Sequence, residues 1–167
     1  MAYTAAVITI SDKGAAGLRE DTSGPELCRI LKENGWDVIH TAMTADEPEA
    51  IKAELIASCD EIDAALILTT GGTGFSPRDI TPEATLEVIE RRVPGIPEAM
   101  RAASMQITSR GCLSRSEAGI RGRSLIINLP GSKKAAAENI CSVLDAVYHG
   151  VEMLRGKGSA DCAEEAK

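Results

Sequence analysis

Aromatic side chains are nearly absent from this chain of 167 residues, which has one tryptophan, two tyrosines and one phenylalanine. Proteins that bind single-stranded nucleic acid use aromatic rings as stacking platforms, and few are available here. The net charge of −7 also argues against non-specific binding to nucleic acid, whose phosphates attract basic proteins. We therefore expect no nucleic-acid partner and a core built from aliphatic side chains.

Long apolar runs and paired metal-ligand motifs are missing as well. No segment approaches the ~20 apolar residues of a membrane span, and no leader pattern opens the chain. The five cysteines are odd in number and widely spaced, and only two histidines accompany them. Neither a zinc site nor a disulfide framework is expected. The pattern predicts a cytoplasmic protein without a membrane partner.

The chain does contain a regular alternation of strand and helix patterns. The strand patterns are short aliphatic runs, typical of a parallel sheet buried on both faces, and one alternating run: Ala5–Ile10, Trp36–Met43, Ala64–Leu68 and Ser124–Leu129. Helical patterns separate them. The order predicts one α/β domain over residues 1–155, doubly wound in three layers around a mainly parallel sheet, and a polar tail over 156–167.

Capping residues locate the starts of three helices. Ser23 precedes Gly24 and Pro25, and Thr81 precedes Pro82 and Glu83, which is typical of N-caps. We predict that Ser23 and Thr81 cap these helices and that the second one continues to Arg92. Asp46 can cap the helix that begins near Pro48.

The most informative segment is LILTTGGTGFSPRDITPEA, from Leu66 to Ala84. A buried strand leads into four small residues, Gly71, Gly72, Thr73 and Gly74. Glycine permits positive φ and close approach, and successive N–H groups of such a turn can converge on an anion. The pattern predicts a phosphate-binding loop, followed by Arg78 and Asp79. It is not a Walker A sequence, because no Gly-Lys-Ser/Thr follows, nor a Rossmann fingerprint, because no Gly-x-Gly-x-x-Gly follows a strand.

Polar residues also follow two other strands. Ser11 and Asp12 come after the first strand, and the turn Pro130–Ser132 follows the last one and precedes a helix start that favours anions. Because ligands bind at the carboxyl ends of parallel strands, we expect these segments to meet the glycine loop there. Asp12 is alternatively a turn residue, and Asp79 a cap or a partner in a loop salt bridge.

Positive charge is concentrated in one stretch of this acidic chain. Between Arg101 and Lys134 lie seven basic residues and a single acidic one, Glu117. A basic stretch interrupted by glycines suits a polyanionic small molecule. An ordinary solvated face is the alternative.

Four separated motifs together resemble the MogA/MoaB family of molybdenum-cofactor biosynthesis, over roughly residues 5–155. They are ISD at Ile10–Asp12, TTGGTGFSPRDITPEAT, LSRSEAGIRG at Leu113–Gly122 and NLPG at Asn128–Gly131. The resemblance implies an α/β fold that forms homotrimers and adenylylates molybdopterin with ATP and magnesium, releasing pyrophosphate. A downstream molybdenum-insertion protein would then be a partner.

The resemblance also implies roles for matching residues. Asp46 and Asp79 would be catalytic and would hold or orient magnesium. The nucleotide and its phosphates would contact Ser11, Asp12, Gly71, Gly72, Thr73, Gly74 and Arg78. The pterin and its phosphate would contact Ser114, Arg115, Asn128, Pro130, Gly131, Ser132 and Lys133. The family commonly has proline where this chain has Lys133, which leaves the shape of that turn open.

Alternatives stay open for several of these residues and for the whole chain. Asp46 is alternatively a helix cap, and Ser114 and Asn128 alternatively make ordinary hydrogen bonds at a loop and a strand end. For the protein, the alternatives are a non-catalytic molybdopterin-binding paralogue or assembly module, and a nucleotide-binding regulator. Molybdopterin-dependent release of pyrophosphate separates the transferase from both.

Overall fold

The computed structural model describes residues 2–156, which fold around a six-stranded sheet with the order β2-β1-β3-β6-β5-β4. The strands are β1 (Thr4–Ile10), β2 (Asp37–Thr44), β3 (Leu66–Thr70), β4 (Arg91–Arg92), β5 (Ala118–Arg121) and β6 (Ser124–Leu129). The helices are α1 (Asp12–Ala15), α2 (Ser23–Glu33), α3 (Pro48–Asp60), α4 (Thr81–Val88), α5 (Gly95–Met105) and α6 (Lys133–Leu154), and a 3₁₀ helix spans Ser109–Leu113. Apart from Gly156, the predicted polar tail lies outside the described residues.

The sheet is mainly parallel. Strands β2, β1, β3 and β6 pair in parallel. At the other edge β5 pairs with β6 in antiparallel orientation, and β4 pairs with β5 in antiparallel orientation. One row of paired residues crosses all four parallel strands, from Thr41 through Val7 and Leu68 to Ile127. The predicted α/β fold with a mainly parallel sheet is therefore confirmed.

Two apolar cores lie on opposite faces of this sheet. In β1, Ala5 and Val7 pack in the core that contains α2 and α6, whereas Ala6 and Ile8 pack in the core that contains α3 and α4. Alternate residues of a strand point to opposite faces, so a strand covered by helices on both sides must be apolar throughout. This explains the continuous aliphatic runs and confirms the three layers. Within residues 2–156, none of the helices combines the length and apolarity that crossing a bilayer requires.

The predicted helix caps are wrong. Ser23 is the first residue of α2, and its hydroxyl donates to the carbonyl oxygen of Gly131 at 2.8 Å. Asp21 caps α2 instead, because its carboxylate accepts from the N–H groups of Ser23 at 3.0 Å and Gly24 at 2.9 Å. Thr81 likewise begins α4 without a side-chain cap. In each helix the tertiary neighbourhood, which local sequence does not specify, decides where the hydroxyl points.

Helix α4 also ends earlier than predicted. It stops at Val88, because Ile89 adopts an extended backbone with ψ of 149°. The N–H groups of Glu90 and Val93 each donate to β5 at 2.8 Å, which makes the residues between them the edge strand β4. The predicted helix to Arg92 is therefore wrong, since β5 offers these residues a sheet edge that local helix propensity did not anticipate.

We expect Asp21→Ala to lower the free energy of unfolding by about 2 kcal/mol, the upper end for loss of a helix cap. The same carboxylate also accepts from the Thr9 hydroxyl at 2.6 Å, so that bond is lost as well. Urea unfolding followed by circular dichroism measures the change. Thr22→Ala is the matched control, since Thr22 occupies the N-cap position without a capping bond. An equal loss in both variants would contradict the assignment of the cap to Asp21.

Candidate active site

The carboxyl ends of the four parallel strands meet at one edge of the sheet. At this edge Ser11 N–H donates to Thr44 at 2.9 Å, and Gly71 N–H donates to Leu129 at 3.1 Å. In the sheet, β2 lies on one side of β1 and β3 lies on the other. Helix α2, between β1 and β2, covers one face of the sheet, and helix α3, between β2 and β3, covers the opposite face. Such a reversal opens a crevice between β1 and β3, the usual ligand position in open α/β sheets.

Two glycines allow β3 to turn sharply into this crevice. Gly71 has φ of +111° and Gly72 has φ of +66°, conformations that residues with a side chain rarely adopt. A Cβ at Gly71 would overlap the carbonyl oxygen of Ile10, and a Cβ at Gly72 would overlap the hydroxyl oxygen of Thr81. The glycine loop thus lies directly against β1 and the start of α4.

Arg115 holds the glycine loop in shape. Its N–H donates to Thr73 O at 3.0 Å and its Nε donates to Gly74 O at 2.7 Å. The two terminal nitrogens of its guanidinium bind the Asp79 carbonyl oxygen and the Glu83 carboxylate. Because all of these donors are directed to the loop and the start of α4, Arg115 shapes the site and lies outside both cavities described below.

Asp12 and Asp46 exchange hydrogen bonds between the ends of β1 and β2. Asp12 N–H donates to Asp46 Oδ2 at 2.9 Å, and Asp46 N–H donates to Asp12 Oδ1 at 3.0 Å. Asp46 therefore does not cap α3. Arg78 binds both oxygens of Asp12, at 3.0 and 2.9 Å, and contacts Glu47 at 2.7 Å.

These contacts set different ionisation properties for the two carboxyl groups. The hydrogen bond from Arg78 holds the pKa of Asp12 below its ordinary value. Burial raises the pKa of Asp46, an effect that the Asp12 N–H opposes and the charges of Asp12 and Asp79 reinforce. Asp79 lies across the glycine loop, where its Oδ2 accepts from Ser76 N–H at 2.9 Å and would be 2.8 Å from a Cβ at Gly74.

Two cavities flank this arrangement and share Gly72, Asp79 and Gly131. The larger has a volume of about 550 Å³ and the smaller, which is more polar, about 350 Å³. Both volumes fall in the ordinary range of small-molecule sites. Of the predicted site residues, the larger cavity also contacts Thr73, Gly74, Ser114 and Pro130, and the smaller one Ser11, Asp46, Gly71, Ser132 and Lys133.

Four predicted residues line neither cavity. Asp12 and Arg78 form an ion pair beside the site, and Arg115 supports the loop from behind. Asn128 is fully buried: its Nδ2 donates to the hydroxyls of Thr69 and Thr85, and its Oδ1 accepts from Glu117 N–H at 3.2 Å. In this structure its amide connects β6 to β3, α4 and the segment before β5.

Besides Arg115, two other members of the basic stretch serve the fold. Arg101 donates to the carbonyl oxygens of Ser114 and Ser116, and Arg121 pairs with Asp60. Two of its members do line the cavities, Arg110 the larger and Lys133 the smaller. Lys133 has an exposed side chain with Glu26 at 3.6 Å, so it can turn toward an anion.

Several cavity residues were not anticipated from the sequence. The larger cavity is completed by Ser104 of α5, Gly111 of the 3₁₀ helix, and Glu138 and Asn139 of α6, among others. No local pattern distinguishes these positions from ordinary helix surface. Asp21, in the smaller cavity, did carry a signal, because it precedes Ser23, Gly24 and Pro25 as a capping residue would.

The acidic residues fit a magnesium ion that is shared with a phosphate ligand. Residues 2–156 contain no cluster of three or more histidine, cysteine, aspartate or glutamate side chains able to hold a metal alone. Magnesium usually binds one or two carboxylates together with waters and substrate phosphates. Asp46 and Asp79 supply two carboxylates on the smaller cavity, and each Oδ1 receives no hydrogen bond from the described residues.

Fold and cavities together define an α/β protein with two cavities of small-molecule size at the carboxyl edge of a parallel sheet. A family model described as a probable molybdopterin binding domain matches residues 6–149, and the chain belongs to this family.

Curated relatives include two bacterial molybdopterin adenylyltransferases, each 41% identical to this chain. The protein from Helicobacter pylori J99 aligns over 90% of this chain and 86% of its own length, and that from Haemophilus influenzae over 92% and 78%. A crystal structure of the molybdopterin biosynthesis enzyme MoaB from Thermus thermophilus superimposes with a TM-score of 0.88 at 42% identity, covering 93% of this chain and 98% of that one.

We expect Gly71→Ala to reduce stability by several kcal/mol or to prevent folding, because its Cβ would meet the backbone of β1 at an unfavourable φ. Gly95→Ala is the matched control, since nothing lies within 4 Å of a Cβ at this first residue of α5. Thermal unfolding of both variants measures the difference. Similar midpoints for the two would show that the close approach of Gly71 to Ile10 is not required.

Asn128→Ala tests whether Asn128 serves the fold. The substitution leaves the half-buried Glu117 N–H without its side-chain acceptor and two buried threonine hydroxyls without their donor, so we expect a loss of about 2 kcal/mol. Urea unfolding gives this value, and molybdopterin binding by the folded fraction gives the second readout. Unchanged stability combined with lost molybdopterin binding would instead assign Asn128 to the ligand.

Proposed function

We propose that this protein is a molybdopterin adenylyltransferase, which converts molybdopterin and Mg-ATP to adenylyl-molybdopterin and pyrophosphate. The observation that carries the proposal is the pair of cavities that meet at Gly72, Asp79 and Gly131. A transfer between two substrates needs both of them held side by side, with the reacting atoms at the boundary. Family membership and the names of the bacterial relatives support this choice of substrates.

In the proposed reaction, an oxygen of the molybdopterin phosphate forms a bond to the α-phosphorus of ATP. The bond from that phosphorus to the oxygen bridging to the β-phosphate breaks, and pyrophosphate leaves with the electron pair. The attacking phosphate is already ionised near neutral pH, so the chain need not supply a covalent nucleophile. Its contribution is to position two anions and to offset their repulsion.

Each part of the site has a role in that task. The glycine loop brings backbone N–H groups close to the phosphates, and Ser132 and Lys133 present the start of α6, whose N–H groups favour anions. Asp46 and Asp79 would hold the magnesium ion, which when bound neutralises charge on the phosphate oxygens. Asp12, Arg78 and Arg115 act by holding Asp46 and the loop in place.

The proposal includes a homotrimer, the assembly expected from the resemblance to the MogA/MoaB family, and a location in the cytoplasm, where ATP is available. It also includes transfer of the product to a molybdenum-insertion protein, because an adenylylated molybdopterin without metal is an activated intermediate. Light scattering of the purified protein tests the trimer directly: a mass three times that of the 17.6 kDa chain is expected.

We expect Asp79→Asn and Asp46→Asn to lower the rate of molybdopterin-dependent pyrophosphate release by ~10²-fold or more, the scale on which loss of one charge-stabilising group is felt. Both variants should remain folded. Asp37→Asn is the matched control, because Asp37 is exposed at the amino end of β2, away from the cavities. Full activity of either site variant would remove that aspartate from the mechanism.

The same assay separates the proposal from its alternatives. Pyrophosphate release by the unaltered protein that requires molybdopterin supports the transferase. Tight molybdopterin binding without release would identify a binding paralogue or assembly module. ATP binding that is indifferent to molybdopterin would identify a nucleotide-binding regulator.

A further inference from the structure

The hydroxyl of Thr81 is buried without a hydrogen-bond partner. Thr81 is fully buried at the first position of α4, and its Oγ1 has no partner among the described residues. Buried hydroxyls are nearly always paired, since leaving one unpaired costs free energy. Three other buried threonines nearby follow that rule: Thr69 and Thr85 accept from Asn128, and Thr70 donates to Pro130 O at 2.7 Å.

This hydroxyl lies beside Gly72 of the glycine loop, and Asp46 lies near the same glycine. A Cβ placed on Gly72 would overlap Thr81 Oγ1, and would lie 3.3 Å from the Cβ of Thr81 and 3.1 Å from Asp46 Oδ1. Within the Thr81 side chain, the hydroxyl oxygen is therefore closer to Gly72 than the Cβ is. Because Gly72 has no side chain, only the space beside its α-carbon separates the unpaired donor from the carboxylate.

Asp46, which is half-buried, has one carboxylate oxygen free to accept a further hydrogen bond. Its Oδ2 accepts from Asp12 N–H at 2.9 Å, but its Oδ1 receives no hydrogen bond from the described residues. The negative charges of Asp12 and Asp79 act on Asp46, and the positive charge of Arg78 opposes them. The unpaired Thr81 hydroxyl and Asp46 Oδ1 therefore lie beside the same α-carbon, that of Gly72, which lines both cavities.

We propose that Thr81 is a positioning residue for Asp46. When the site holds a divalent cation and a nucleotide, the Thr81 hydroxyl donates to Asp46 Oδ1, directly or through one water, and fixes the orientation of the carboxylate. The inference rests on the proposed function for the ligands that Asp46 faces. It also explains the glycine at position 72, since any Cβ there would fill the space between the two groups.

Thr81→Val tests this role because it removes the hydroxyl and keeps the shape. The readout is the affinity of the full chain for α,β-methylene-ATP by calorimetry, measured with Mn²⁺ and again with excess EDTA. In the unaltered protein Mn²⁺ should tighten binding. In Thr81→Val we expect the ratio of the affinity with Mn²⁺ to the affinity with EDTA to be ~10-fold smaller, the scale of one lost hydrogen bond to a charged group. Thr81→Ser, which keeps the hydroxyl, should restore it.

Stability supplies an independent readout. Since the unpaired hydroxyl is a cost in the free protein, Thr81→Val should unfold at the same temperature as the unaltered chain or at a higher one. Ser58→Ala is the matched control: Ser58 also buries an unpaired hydroxyl, but its carbonyl accepts from Ala64 before β3, away from the cavities. Its nucleotide affinity and cation dependence should not change.

The outcomes separate this inference from the proposed function. If Thr81→Val keeps the full gain from Mn²⁺, the positioning role is wrong and the proposed function stands. If the unaltered protein gains nothing from Mn²⁺, the proposed metal site fails and the inference fails with it. A lowered unfolding temperature with intact cation dependence would make Thr81 a packing residue. Thr81→Ala repeats the binding test if the valine variant folds poorly.

Discussion

The site depends on the space beside two glycine α-carbons. Gly71 lies against the carbonyl oxygen of Ile10, and Gly72 lies against Thr81 and Asp46, so no side chain fits at either position. That close approach lets the loop after β3 reach across the end of β1 to the start of α4. Without this close approach, Asp46 at the end of β2 and Asp79 before α4 would not line the same cavity.

The positive charges near this loop mostly serve its shape. Arg115 is bound to carbonyl oxygens of the loop and to Glu83, and Arg78 is paired with Asp12 and Glu47. The cavities themselves contain more acidic groups than a polyanionic ligand would favour, including Asp21, Asp46 and Asp79. This charge arrangement is consistent with a site that binds phosphates through backbone N–H groups and a shared divalent cation, with Arg19, Arg110 and Lys133 as the basic side chains that line the cavities.

Sequence patterns predicted the strands better than the helix ends. β6 begins and ends where its pattern did, because a strand buried on both faces must be aliphatic throughout. β1 begins one residue earlier than predicted, β2 is shifted by one residue, and β3 is shifted by two. The caps at Ser23 and Thr81 and the end of α4 were wrong for one common reason. Gly131 and β5 are distant in sequence from α2 and α4, and Gly72 lies on the far side of the loop before Thr81, so all three meet these positions only through the fold.

The sequence by itself determined the fold class, the glycine loop and the sheet edge at which the polar segments gather. These features follow from local rules: aliphatic runs, glycines that permit positive φ, and the shared direction of parallel strands. Only the tertiary structure decided which residues face the cavities. It buried the amide of Asn128, directed Arg115 to the loop, and added Glu138 and Asn139 from a segment without a local signal. The physical reason is that a polar side chain takes its role from the partners within its reach, and those partners come from distant parts of the chain.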